Sequence, residues 1–179
     1  CRARQLHVFF LTNNSSRSVE QYLEKLNGMG IPAAFDQVLL STHDLMAWLS
    51  EREIRDIFLV GTAAMRSTLT AGGFTTDSTT PEYVVLGYDT EITYQKLADA
   101  ACHLQRGVPL VASHPDLVCP TPQGGLPDVG SFLALLKAAT GVEPEHICGK
   151  PNPSVLRRKL DTLGIAASQS AVIGDRLYT

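Results

Sequence analysis

The first part of the chain repeats one pattern three times: a short apolar run, an abrupt stop at small polar residues, then a stretch with helical periodicity. Residues 6–11 stop at Thr12-Asn13-Asn14-Ser15-Ser16-Arg17-Ser18 and lead into 19–29, where Val19, Tyr22, Leu23 and Leu26 share a helix face ahead of Gly28 and Gly30. Residues 37–40 lead through Ser41-Thr42-His43-Asp44 into a helix over 45–53, and residues 57–60 lead through Gly61-Thr62 into a helix over 63–71, closed by Gly72-Gly73. Parallel strands need crossover connections, and helical crossovers cover the sheet they join. The pattern therefore predicts an α/β chain with a parallel, doubly wound sheet. Ligands of such sheets bind just beyond the carboxyl ends of the strands.

The stop after the first run carries hydroxyl, amide and guanidinium donors at a helix start, which Ser16 or Ser18 can cap. Free N–H groups and the helix dipole at such a start favour an anion such as phosphate. An ordinary capped turn uses the same residues, because Asn and Ser are common in turns.

Composition narrows the partners. The 179 residues carry a formal net charge of −3, so no basic surface points to nucleic acid or to an anionic membrane. No apolar run approaches the roughly 20 residues of a membrane helix. Cys1, Cys102, Cys119 and Cys148 show neither a CxxC pair nor metal-site spacing. Reduced thiols in a cytoplasmic protein are the expectation. The five histidines form no HxH or HExxH, which argues against zinc.

Beyond the third unit the composition changes. Residues 75–82 are rich in Thr, Ser and Pro and mark a domain boundary. Strands over 83–87 and 109–112, a helix over 93–105, a proline- and glycine-rich loop over 113–129 and a helix over 130–140 then read as a second, smaller α/β domain. The expected division is 1–74, 75–146 and 147–179, with the middle segment inserted into the first domain. A short strand before Gly149-Lys150-Pro151-Asn152-Pro153, a helix over 155–163 and a last buried strand over 170–173 complete the chain and deliver Gly174-Asp175-Arg176.

Three strand ends thus present unlike chemistry. Thr12 and Asn13 offer hydrogen bonds to an anion, Lys150 a fixed positive charge, and Asp175 a carboxylate suited to Mg²⁺. Taken singly they also read as a turn, a surface lysine and a loop aspartate. In one parallel sheet they would converge on one crevice.

The segments Thr12-Asn13-Asn14-Ser15-Ser16-Arg17, Gly149-Lys150-Pro151-Asn152-Pro153 and Gly174-Asp175-Arg176-Leu177-Tyr178-Thr179 resemble the second, third and fourth motifs of haloacid-dehalogenase (HAD) phosphatases. More narrowly they are similar to the class IIA branch of NagD-like, p-nitrophenylphosphatase-like and pyridoxal phosphate phosphatases. The similarity extends through Val85-Leu86-Gly87-Tyr88-Asp89, Ala112-Ser113-His114-Pro115-Asp116 and Pro127-Asp128-Val129-Gly130-Ser131. The resemblance implies a Rossmann-like core with an inserted C2-type cap, and hydrolysis of phosphate monoesters through an aspartyl-phosphate with Mg²⁺. It implies that Thr12 and Asn13 bind phosphate with Asn14 near the substrate, that Lys150 neutralises charge on nucleophile and phosphoryl group, and that Asp175 ligates Mg²⁺. A carboxylate attacking a dianionic phosphate needs such compensation.

Within the cap, the loop 114–130 is expected to face the crevice and set substrate choice, with His114 either a substrate contact or a solvated loop histidine. Relatives acting on pyridoxal phosphate carry His-Pro where Cys119-Pro120 stands, which weakens that substrate assignment. The expected partner is a small phosphorylated metabolite, and a homodimer through the cap is compatible with the resemblance. The family's first motif, DxDxT or DxDxV, has no counterpart here, since no two aspartates stand two apart. The chain opens at Cys1 and stops at Thr179 in a polar stretch, so it reads as a piece of a longer enzyme. By itself it is expected to be inactive, and insoluble or molten for want of the first-motif strand between its own strands at 8–11 and 171–173. The alternative function is a noncatalytic phosphate-ligand binding module of the same fold.

Overall fold

The structure, a computed structural model, describes residues 6–174. Strand β1 (Phe10–Thr12), helix α1 (Val19–Gly28) and strand β2 (Val38–Leu40) form a parallel pair, with Phe10 opposite Val38 and Thr12 opposite Leu40. Val19 and Leu26 of α1 are buried against Val38 and Leu40. Helix α2 (Ser41–Ser50) follows β2 directly.

The remaining units build a second sheet. Strand β3 (Ile57–Val60), helix α3 (Ala63–Ala71), strand β4 (Tyr83–Leu86), helix α4 (Tyr94–Gln105) and strand β5 (Leu110–Ala112) come in order. A hairpin of β6 (Val118–Thr121) and β7 (Gly124–Pro127) leads to helix α5 (Val129–Thr140), strand β8 (His146–Ile147) and helix α6 (Ser154–Leu163). The four strands pair in the order β3-β4-β5-β8, all parallel. Alternation puts Ile57, Leu59, Val85 and Val111 on one face, against Leu45, Trp48 and Leu49 of α2 and Met65 and Leu69 of α3. Val84, Leu86, Leu110 and Ala112 face the other way, against Ala100 and Leu104 of α4 and Val129 and Leu136 of α5. Burial on both faces explains why these strands read as unbroken apolar runs. Each fully buried leucine contributes roughly 1.5–3 kcal/mol.

Local chemistry fixes the helix ends. Ser18 and Gln21 form a reciprocal capping box on α1. Thr62, Thr93 and Asp128 cap α3, α4 and α5. Gly141 and Gly164 end α5 and α6 with φ of 75° and 65°, in the left-handed region glycine enters freely.

Three expectations need correction. The three opening units do not share one sheet: β1 and β2 pair with each other, and β3 joins β4. The change of sheet falls upstream of residues 75–82, and that stretch is no free linker. It runs along β3, where Ile57 and Leu59 N–H groups donate to the Thr75 and Thr76 carbonyls at 2.9 and 3.0 Å, and Ser78 N–H donates back to Ile57 O. The loop over 113–129 contains the antiparallel hairpin β6–β7.

The last strand, expected over 170–173, does not form. Val172 and Ile173 are 70% and 95% exposed. The run pairs with no strand of the described sheets, and a single apolar segment cannot satisfy its backbone as a strand alone. The first strand is also shorter than its apolar run, since only Phe10–Thr12 finds partners in β2.

Candidate functional site

The turn after β1 is held by its own side chains. Asn14 N–H donates to Thr12 Oγ1 at 3.2 Å, and Asn14 Oδ1 accepts from the N–H and hydroxyl of Ser16 at 2.9 and 2.7 Å. These short-range bonds are what Thr, Asn and Ser supply in turns. The Tyr22 hydroxyl sits 3.3 Å from Thr12 Oγ1, and burial pushes the Tyr22 phenol up, so it stays neutral there.

Asn13 reaches out of this turn. Its Nδ2 donates to the Lys150 carbonyl at 3.0 Å and to Asp116 Oδ2 at 3.2 Å, while its Oδ1 accepts the Lys150 N–H at 2.7 Å. The amide is thereby used on both sides, and Asn13 is 5% exposed. Its side chain is a clamp on the Lys150 backbone, with both amide atoms engaged. The Ser41 hydroxyl ties the Asn13 carbonyl to the start of α2 at 2.7 Å.

Lys150 itself stands half-buried at the end of the turn after β8. Among the described residues its ammonium enters no ion pair. Gly149 before it has φ of 71°, and a Cβ there would fall 2.8 Å from Asn13 Oδ1, 2.9 Å from the Ser113 carbonyl and 3.1 Å from His114 Cβ. Only glycine fits this approach.

Asp44, buried in the first turn of α2, completes the support. Its Oδ2 accepts the Gly149 N–H at 3.0 Å, and its Oδ1 accepts from the Ser154 hydroxyl and from Arg158 Nη1, both at 2.5 Å. Arg158 also bonds Glu51 through Nε and Nη2. The sequence gives no motif for Asp44.

A second network runs behind the site. Tyr88 N–H donates to Ser15 Oγ at 2.8 Å, Ser15 and Ser113 hydroxyls meet at 3.1 Å, and Ser113 Oγ lies 2.9 Å from His114 Nδ1. His114 Nε2 meets Asp128 Oδ1 at 2.9 Å, and that oxygen also takes the Val129 N–H at 2.7 Å. With Asp128 ionised, Nε2 carries the proton and Nδ1 accepts from Ser113. His114 is fully buried with both ring nitrogens engaged. It is not a solvated loop residue.

The ligand atoms of His114, Asp116 and Asp128 lie within 4.8 Å of one another. Each already holds a hydrogen bond, and one of the three is an imidazole. That set does not fit Mg²⁺, which takes oxygen ligands in near-octahedral geometry. Asp175, the residue expected to hold the metal, lies outside the described residues. A groove of about 790 Å³ between α1, α2 and α3 is lined by residues such as Ser18, His43, Met46 and Ser67 and by none of Thr12, Asn13, Asp44 and Lys150.

Two loops from different sheets thus meet through Asn13 and Lys150, beside a turn of hydroxyl and amide groups. Comparison with known proteins places this arrangement. A family model described as haloacid dehalogenase-like hydrolase matches residues 1–75, and a second, described as HAD-hydrolase-like, matches residues 147–179. The 4-nitrophenylphosphatase of Thermotoga maritima superposes with a TM-score of 0.94 at 37% identity, over 99% of this chain and 69% of that one. The p-nitrophenyl phosphatase of Archaeoglobus fulgidus does so at 0.89 and 28% identity, over 99% and 69%. The acid sugar phosphatase of Staphylococcus epidermidis is 33% identical over 168 residues, 93% of this chain and 64% of that protein. The chain belongs to the haloacid-dehalogenase-like hydrolases, in their class IIA, NagD-like branch. It spans 64% of the length of the curated relatives it matches.

Proposed function

We propose that the protein containing this chain is a Mg²⁺-dependent phosphomonoesterase acting on small phosphorylated metabolites through an aspartyl-phosphate. The observation that carries the reading is the Asn13–Lys150 clasp. It fixes a lysine with no ion-pair partner among the described residues beside the Thr12 turn. An unpaired, preorganised ammonium is suited to charge that builds up on a phosphoryl group. The matched relatives named as phosphatases support the same chemistry.

The residues divide the work as follows. Lys150 offsets repulsion between an attacking carboxylate and the phosphate dianion. The Thr12 hydroxyl and the N–H groups at the start of α1 hold phosphoryl oxygens, with Asn14 shaping the turn that presents them. Asn13 keeps the lysine in place. The nucleophilic aspartate is a residue outside this chain, and Asp175 is the carboxylate proposed to hold Mg²⁺. The unit built on β3, β4, β5 and β8 is the inserted cap, which begins upstream of β3.

The test is steady-state hydrolysis of p-nitrophenyl phosphate by the full-length protein. Turnover should vanish in excess chelator and return with Mg²⁺. Turnover undiminished by chelation would overturn the metal requirement. Phosphate binding without any turnover would favour the noncatalytic binding module.

A further inference from the structure

We propose that Asp44 is a positioning residue for Lys150, acting through the Gly149 amide; this rests on the phosphatase reading of the same site. Asp44 is 2% exposed and receives hydrogen bonds from three points of the segment that follows β8: the Gly149 N–H, the Ser154 hydroxyl and the Arg158 guanidinium. A buried carboxylate is stable only when charge and lone pairs are both answered, and Arg158 with the two neutral donors does this.

The consequence is geometric. Asp44 holds the N–H of Gly149, and Asn13 holds the N–H and carbonyl of Lys150. Three backbone polar atoms on two adjacent residues are thus anchored by side chains from two different elements, the turn after β1 and the helix α2. The lysine Cα therefore has little freedom, and the sweep of its ammonium is correspondingly narrow. Release of the Gly149 anchor lets the turn move while α6 stays attached through the Arg158–Glu51 pair. Small displacements of a charge-stabilising group are costly to a chemical step.

A carboxylate that only ties α2 to α6 would affect stability and leave turnover per folded molecule alone. A double-mutant cycle separates the two roles. In the full-length enzyme, Asp44→Asn should lower kcat about tenfold with p-nitrophenyl phosphate. In the Lys150→Ala background the same substitution should change kcat less than about twofold, because the group it positions is gone. An equal loss in both backgrounds, or no loss in folded Asp44→Asn protein, overturns the proposal. Should Asp44→Asn fail to fold, Ser154→Ala keeps the ion pair and removes one support. Its smaller loss must likewise disappear without Lys150, and an undiminished kcat would count against the proposal.

If the wild-type enzyme hydrolyses no phosphate monoester, the phosphatase reading fails separately. The same cycle is then read by calorimetric titration with inorganic phosphate, where Asp44→Asn should weaken binding only when Lys150 is present. Absence of phosphate binding by the wild type would overturn both.

Discussion

Asn13 grips both backbone polar groups of Lys150, its Oδ1 taking the N–H at 2.7 Å and its Nδ2 giving to the carbonyl at 3.0 Å. The residues lie 137 positions apart and follow strands of different sheets. A primary amide offers a donor and an acceptor side by side, which matches a peptide edge in a way no carboxylate can.

Asn13→Asp should therefore destabilise the intact protein by about 1–3 kcal/mol, the cost of leaving a buried polar group unanswered. The new carboxylate would face the Lys150 carbonyl and stand against Asp116, which Asn13 Nδ2 now approaches at 3.2 Å. Adding Asp116→Asn should recover part of the loss by removing the like-charge contact. Urea denaturation measures both, and an unchanged midpoint in the single variant would refute the clamp.

Stability should fall as the medium becomes mildly acidic. His43 Nδ1 accepts the Leu40 N–H at 3.3 Å, which requires that nitrogen to be unprotonated. Burial pulls its pKa below the ordinary 6.5. His146, stacked on Trp48, is lowered too, mainly by burial. The unfolded chain thus binds more protons between the depressed values and 6.5, so stability rises with pH through that window and is lost below it. The denaturation midpoint should drop between about pH 7 and 5.5, and His43→Gln should flatten the slope. A slope unchanged by that substitution would contradict the assignment.

The thiols should separate by environment. Burial, with the Asp44 charge adding to it, pushes the Cys148 thiol far up, whereas Cys102 is exposed. Only thiolate reacts. Iodoacetamide on the native protein, read by mass spectrometry, should label Cys102 and spare Cys148 until unfolding. Equal labelling rates would contradict the buried placement beside β8.

What the sequence made legible follows from how local each signal is. Helices α3 and α4 came out within a residue or so because their caps, Thr62 and Thr93, and their apolar spacing are encoded in short stretches. The approach of Thr12-Asn13 to Gly149-Lys150 was legible through motif resemblance, although the two loops meet across sheets and not along one. Strand partnership was not legible: residues 57–60 look alike whether they pair with β2 or with β4, since either neighbour buries both faces. The burial of His114 was not legible, because a Pro-rich neighbourhood suggests solvent, while that burial depends on Ser113 and Asp128 arriving from strand and helix ends. Asp44 gave no signal, for a lone aspartate in a helix start reads as a capping or dipole effect.

The central claim is that Lys150 supplies the fixed positive charge of a phosphatase site. It is tested most directly by kcat for p-nitrophenyl phosphate in the full-length protein, wild type against Lys150→Ala, with circular dichroism to confirm equal folding. Loss of one preorganised charge stabiliser should cost about 10²–10³ in kcat. A folded Lys150→Ala enzyme with kcat within about twofold of wild type, far short of that loss, would contradict the account.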